Sequence, residues 1–238
     1  MCPLVYSGQL EWRPVIIQFV ARPNRDAMMK QKTLITTDAS ITVVPANEAS
    51  WDDLHVVLGG VRCHAAQCYC QRFKIPNSQW RWVDDEERAQ RLREQTHCGN
   101  SKSRTTSGLV AYLDDEPVGW CSVEPRTAYV KLPTTRMPWT GRNEDKTDDE
   151  VWAVTCFITR TGYRVRGVSY ALACAAVDFA RKRGARALEG YAMITVPGKE
   201  ITWGELHVGS HRIFAAAGFE EVSRPSKRRV VMRIDFDT

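Results

Sequence analysis

The chain has 238 residues, 43% of them hydrophobic and 26% charged, with a formal net charge of +5 at pH 7. That length suits one globular domain with a sizeable core and some extra chain, and so mild a charge argues against a dedicated nucleic-acid binder. The longest apolar runs, such as 14–21, are too short to cross a bilayer. The first forty residues lack the charged start, apolar centre and small-residue cleavage site of a secretory signal. Eight cysteines would allow four disulfides, but Cys121, Cys156 and Cys174 lie inside apolar patterns, where reduced thiols behave as small hydrophobes. A reducing, cytoplasmic setting with no membrane partner is the expectation.

Residues 1–40 mix Pro3, Pro14 and Pro23 with scattered charges and show no sustained period. They read as a partly disordered extension, with some order over 15–20, ahead of a domain spanning 41–238. From Ile41 "ITVV" predicts a strand. "SWDDLHVVLGG" predicts a short helix, with Ser50 as cap, Asp52 and Asp53 at its positive end and Gly59 as its stop. Residues 61–82 are dense in Cys and Trp and fit neither pattern. "DDEERAQRLREQ" (84–95) again has the charge order of a helix.

"SGLVAYLDDEPVGWCSVEP" alternates apolar residues around an Asp-Asp-Glu-Pro turn, the pattern of a β-hairpin. A polar loop over 126–150 follows, and then "VWAVTCFIT" (151–159), apolar throughout, reads as a strand buried on both faces. A helix from Val168 to Arg183 places Leu172, Ala175, Ala176 and Phe179 on one face, with Gly184 as its stop. "ALEGYAMIT" predicts a further strand, "GSHRIFAAAGF" a short helix, and "EEVSRPSKRRVVMRIDF" two strands around Arg-Pro-Ser-Lys with a charged outer face. Together these elements predict an α+β fold with a mixed sheet of six or seven strands flanked by helices.

The segment "YRVRGVSYAL" (163–172) joins the buried strand to the long helix. A helix's first turn exposes unpaired N–H groups and the positive end of its dipole. Gly167 allows close approach of a ligand, and Arg164 and Arg166 add charge, so a pyrophosphate fits here. A solvated basic turn before a core helix fits the local sequence equally well.

From Ile41 onward the order of elements resembles the GNAT superfamily of acetyl-CoA-dependent N-acetyltransferases. The family's Arg/Gln-x-x-Gly-x-Gly/Ala signature is matched by Arg164-Val165-Arg166-Gly167-Val168-Ser169, with Ser169 in place of the usual Gly or Ala. "FAAAGFEEV" resembles the family's Phe-Tyr-x-x-x-Gly-Phe ending, and the hairpin resembles its second and third strands. The resemblance implies a mostly antiparallel sheet that splays between its fourth and fifth strands. It implies acetyl-CoA as co-substrate, with its diphosphate on the amides of 164–169. The pantetheine arm would pair with Phe157, Ile158 and Thr159 as a pseudo-strand.

The catalytic groups are less legible. Acetyl transfer needs a neutral amine, an acceptor for its proton and an acid for the leaving thiolate. The tyrosine that serves many family members as acid is Phe214 here, and the fourth strand lacks the glutamate they often use as base. Tyr191 and Glu189 are the candidates, because apolar neighbours such as Leu188 would make Glu189 a better base. Glu150, Ser210 and His211 are the substitutes.

"CHAAQCYC" (63–70), with His97 and Cys98, could offer zinc ligands, but its spacing is not that of two separated Cys-x-x-Cys pairs. These thiols read first as structural or acceptor-lining, and no metal is expected. The acidic stretch "NEDKTDDE" (143–150) and Trp80, Trp82, Trp120 and Trp152 would attract a cationic amine if they lined a pocket; a solvated loop and core tryptophans are the plainer reading. The leading expectation is an N-acetyltransferase acting on a small-molecule amine, without nucleic acid, and with a homodimer left open. A protein acetyltransferase and a non-catalytic acyl-CoA-binding module are the alternatives.

Overall fold

Strands and helices form where side-chain alternation and capping call for them. The computed structural model describes residues 15–18, 40–63, 66–196 and 198–237. Strand β1 (Val15–Gln18) pairs with β2 (Ser40–Pro45), whose residues are alternately half-buried and buried. Helix α1 (Trp51–Leu58) starts in a capping box: the Asp53 N–H donates to Ser50 Oγ at 3.1 Å, and the Ser50 N–H donates to Asp53 at 3.2 Å. The Cys-rich stretch that fits no sequence pattern forms a minimal hairpin, β3 (Arg62–Cys63) and β4 (Ala66–Gln67), then 3-10 turns at Gln71–Phe73 and Trp80–Trp82. Helix α2 (Asp85–Thr96) is capped by Asp84 and carries acids in its first turn, as its charge order predicts.

Strands β5 (Leu109–Leu113) and β6 (Glu116–Pro125) meet at Asp114 and Asp115, whose φ values of 50° and 66° suit a tight hairpin turn. Then come β7 (Val151–Thr159), α3 (Val168–Lys182), β8 (Ala187–Met193), α4 (Trp203–Leu206) and α5 (His211–Ala216). The chain closes with β9 (Glu220–Ser226) and β10 (Arg229–Asp235).

The main sheet runs β1-β2-β5-β6-β7-β8-β10-β9, and only β7 and β8 are parallel. The mixed, mostly antiparallel sheet is as expected. It has eight strands rather than six or seven, because Val15–Gln18, within the stretch read as an extension, adds an edge. The rest of that stretch lies outside the described residues. The final turn falls at Lys227 and Arg228, so Arg224, Pro225 and Ser226 belong to β9. Proline is tolerated there because β9 is an edge strand and needs no donor on its open side.

Helices α3 and α5 cover one face of the sheet, over Val154, Leu188, Ala192 and Met232. Phe214 of α5 lies so close over β8 that a Cβ at Gly190 would overlap its ring. On the other face α1 and α2 pack on Val110, Trp120, Cys156 and Ile158. The 126–150 loop covers Ala153, Tyr191 and Val231. Cys121 and Cys156 are buried in the core, as expected, but Cys174 on α3 is disulfide-bonded rather than reduced. No helix among the described residues is long and apolar enough to cross a membrane.

Candidate active site

The parallel strands β7 and β8 pair only from Val151↔Ala187 to Val154↔Gly190, although β7 continues to Thr159 and β8 to Met193. Beyond Val154 they diverge, and the segment His207–Gly209 lies between them. The Phe157 N–H donates to the His207 carbonyl at 2.6 Å, and the Met193 N–H donates to the Gly209 carbonyl at 2.9 Å. The splay expected between the fourth and fifth strands is present. The Phe157 amide, expected to meet a pantetheine arm, is engaged by this segment.

A cavity of about 260 Å³ opens at the splayed end, walled by Phe157, Thr159, Arg164, Val165, Ser169 and His207 among others. A second cavity of about 390 Å³ shares Thr159 and Arg164 and extends along Ile158 and Arg160 toward α1. The loop 164–169 therefore forms one end of a continuous groove. Its backbone is unusual: Val165 has φ 63°, rare for a β-branched residue, and Gly167 has φ 86°. Left-handed residues in such a loop turn successive N–H groups toward one side, making an anion-binding concavity. Among the described residues, no acceptor takes the amides of Arg164 to Ser169. The Ser169 hydroxyl lies 3.3 Å from that of Thr159, tying the first turn of α3 to the end of β7. Arg166 stacks on the Tyr163 ring at 5.5 Å, and Val168 is buried in the core, so Arg164 is the loop arginine that faces the groove.

On the α1 side of the sheet a third cavity is nearly closed, at about 10 Å³, room for a single water. Its walls include Cys68, Tyr69, Cys70, Arg72, Cys156 and His207. Tyr69 and Cys70 both take left-handed conformations, φ 42° and 56°, and the ring of Tyr69 packs against both Trp51 and His55. Of the thiols in the Cys-rich stretch, Cys68 and Cys70 line this cavity. Among the described residues no group of three His, Cys, Asp or Glu side chains could hold a metal ion; His64 lies outside them.

His207 lines both the cavity of about 260 Å³ and the closed one. Its Nδ1 lies 2.8 Å from the Gly204 carbonyl. A carbonyl only accepts, so Nδ1 carries the proton and Nε2 keeps the lone pair. Burial, helped by the nearby charges of Arg72 and Arg229, lowers its pKa to about 4, and the imidazole is neutral near pH 7. Nothing in the sequence marks it. It is a lone histidine after an irregular stretch, beside a helix of only four residues.

Glu189 and Tyr191 do come together, the Tyr191 hydroxyl donating to Glu189 at 3.2 Å, but neither lines these cavities. Glu189 is fully buried, and its neighbours are not the apolar groups expected of a base. Its cross-strand partner Arg233 donates to it at 2.8 Å, Arg142 donates at 3.3 Å, and Arg126 lies 3.5 Å away. Glu144 joins the cluster, bonding Arg233 at 3.1 Å. A carboxylate sealed among three guanidiniums has no route to a bound amine. Burial raises the Tyr191 pKa well above that of a free phenol, so it stays protonated.

Of the substitutes, Glu150 is exposed and lies 3.6 Å from Arg186, and His211 sits near Glu221. Ser210 lines the groove. The acidic stretch 143–150 is largely neutralised by arginines, with Glu144 in the buried cluster and Asp148 paired to Arg186. Trp120 is core, Trp152 packs edge-on to Phe179, and Trp82 is exposed. Trp80 and Trp82 already carry the protein's own cations, with Arg88 and Lys131 over the Trp80 ring at 4.4 and 5.5 Å and Arg81 over that of Trp82 at 4.6 Å.

No curated protein sequence matches this chain. Among solved structures it is similar to a GCN5-related N-acetyltransferase from Kribbella flavida (16% identity, 82% of this chain and 98% of that one, TM-score 0.45). It is also similar to a ribosomal-protein-alanine N-acetyltransferase from Brucella melitensis (17%, 82% and 99%, TM-score 0.45). A third likeness is to the PaiA N-acetyltransferase of Thermoplasma acidophilum in complex with coenzyme A (12%, 82% and 99%, TM-score 0.42). These likenesses are too weak to say anything of the site. The profile of the Acetyltransferase (GNAT) family, however, matches residues 71–194, just over half of the chain and the whole of the splayed strand pair with the loop 164–169. The chain belongs to the GNAT acetyltransferase family.

Proposed function

We propose that the protein transfers an acetyl group from acetyl-CoA to a primary amine of a small molecule. The observation that carries this reading is the loop 164–169, whose amides have no acceptor among the described residues, at the edge of the cavity opened by the splayed strand ends. Arg164 and the amides of Val165 to Ser169 would hold the diphosphate, and Phe157, Ile158 and Thr159 would line the path of the pantetheine arm.

Bound acetyl-CoA supplies the acyl carbon and a thiolate leaving group. The amine nitrogen forms a bond to that carbon as the carbon–sulfur bond breaks. As the new bond forms the nitrogen's proton becomes acidic, so a weakly basic imidazole can take it. His207 Nε2 receives it, and the fixed Nδ1–H bond to Gly204 holds the ring for that task. The proton then passes to the departing thiolate. Glu189 and Tyr191, the sequence candidates for these steps, bond one another within the buried arginine cluster and line none of the three cavities, which supports His207 in their place.

The test is release of free thiol from acetyl-CoA over a panel of small amines and peptides. Turnover of at least one small amine, with peptides inert, is expected. Peptide turnover alone would overturn the acceptor assignment, and acetyl-CoA that binds without any thiol release would point to a non-catalytic module.

A further inference from the structure

Past Val154 and Gly190 the strands β7 and β8 lose one another, and each is left with an inner edge of backbone N–H and C=O groups that need partners. The segment His207–Gly209 supplies two. The Phe157 N–H donates to the His207 carbonyl at 2.6 Å and the Met193 N–H to the Gly209 carbonyl at 2.9 Å, and Ser210 runs parallel to Met193 in a single bridge. The fit at its tip is close. Gly209 has φ 90°, and a Cβ there would stand 2.9 Å from the rings of both Phe157 and Phe214. The segment is a wedge between the strands, and only glycine suits its tip.

The rest of its seat is the buried Val208 and the His207 ring, whose centroid lies 6.5 Å from that of Phe73. The tether behind it is slight. Helix α4 has four residues, too few to hold its shape alone. Glu205 joins it to the β9–β10 turn through Arg228 at 3.2 Å, a solvent-facing pair of small worth.

The acetyltransferase reading asks for the same edge of β7. With the diphosphate on 164–169, the thioester reaches the point where the strands part only if the pantetheine arm runs along Phe157 to Thr159. The amides of that arm need partners once water is excluded. The cavity there is walled by Leu206, His207 and Gly209 opposite the strand. An N–H that donates to His207 cannot also serve the arm.

We propose that His207–Gly209 is a gate, which closes the inner edge of β7 and is displaced from Phe157 when the pantetheine arm of acetyl-CoA enters. The inference rests on the acetyltransferase reading and adds to it a control on cofactor entry. His207 and its partner Gly204 lie on the same segment, so the Nδ1 bond travels with it and the ring keeps its orientation. Cofactor affinity is then lowered in proportion to the share of molecules whose gate is closed.

The experiment is calorimetric titration with two ligands, coenzyme A and ADP. ADP has the diphosphate but no arm, so it binds the loop without opening the gate. Glu205→Gln can keep the bonds to Thr202 while removing the charge that meets Arg228. It should tighten coenzyme A binding by about 2- to 5-fold, the worth of an exposed ion pair. Gly209→Ala, whose methyl cannot seat against Phe157 and Phe214, should tighten it by about 10-fold. ADP affinity should be the same in the wild type and both variants. Glu205→Gln alone decides if Gly209→Ala does not fold. Coenzyme A affinity that stays level or falls in either folded variant would overturn the proposal, as would a gain shared by ADP. Failure of the wild-type protein to bind coenzyme A at all would sink the acetyltransferase reading itself, a separate outcome.

Discussion

The two ends of the β7–β8 pair are built on opposite principles. At the paired end, Val151–Val154 against Ala187–Gly190, the sheet is continuous and its loop-covered face carries Glu189, sealed among Arg126, Arg142 and Arg233. At the open end the strands part, no carboxylate lines the space among the described residues, and the titratable base is a neutral imidazole. The carboxylates gather at the paired end, and none lines the open end among the described residues, where by the proposed reaction an amine would lose its proton. A glutamate inside the sheet of an acetyltransferase is thus a poor guide to its chemistry unless its partners are known.

Removing Glu189 should produce the largest effect. Glu189→Ala leaves three guanidiniums without their shared carboxylate, and breaking a buried ion cluster costs about 3–5 kcal/mol. The melting temperature should fall by roughly 10 °C, measured by calorimetry. Unchanged melting with lost turnover would return Glu189 to the catalytic site and erase the contrast between the two ends.

The next effect belongs to His207. Its folded pKa of about 4 lies below the ordinary histidine value of 6.5, because burial favours the neutral ring. Between those values the unfolded chain binds more protons than the folded one, so stability falls as pH drops from about 6.5 toward 4. The contribution is fully present above 6.5 and is on the order of 3 kcal/mol. Denaturant unfolding of the wild type and of His207→Gln across this window should show a shallower pH slope in the variant. Equal slopes would mean that the ring titrates normally and is open to water.

The same variant should lose about 100-fold in kcat, toward the lower end of what a positioned proton acceptor contributes, while CoA affinity holds. In the wild type, His207 should add no acid limb to the kcat/KM profile near pH 6.5. A limb there that vanishes in the variant would contradict the buried, neutral assignment.

Much of the frame was legible in the sequence because it is encoded locally. Ser50 and Asp84 mark the starts of their helices, Asp114 and Asp115 form the hairpin turn, and Gly167 marks the entry to α3. The site's chemistry was not, because it is assembled from distant pieces. Arg126 and Arg142 sit in a loop that reads as solvated, and Arg233 sits in the last strand, yet all three meet on Glu189. Leu188 is its sequence neighbour but points to the opposite face, as alternation along a strand requires. His207 reaches the site only because the chain between β8 and α5 turns back between the diverging strands, a path no periodicity encodes.

The central claim is that the open end, through the loop 164–169, holds acetyl-CoA. Calorimetric titration of acetyl-CoA into the wild type and Gly167→Asp tests it most directly, since an aspartate at φ 86° strains the loop and puts a carboxylate where the diphosphate is to bind. The account predicts saturable binding to the wild type and its loss in the variant, with the fold retained. Binding of equal strength to both proteins, or no binding to the wild type, would contradict it.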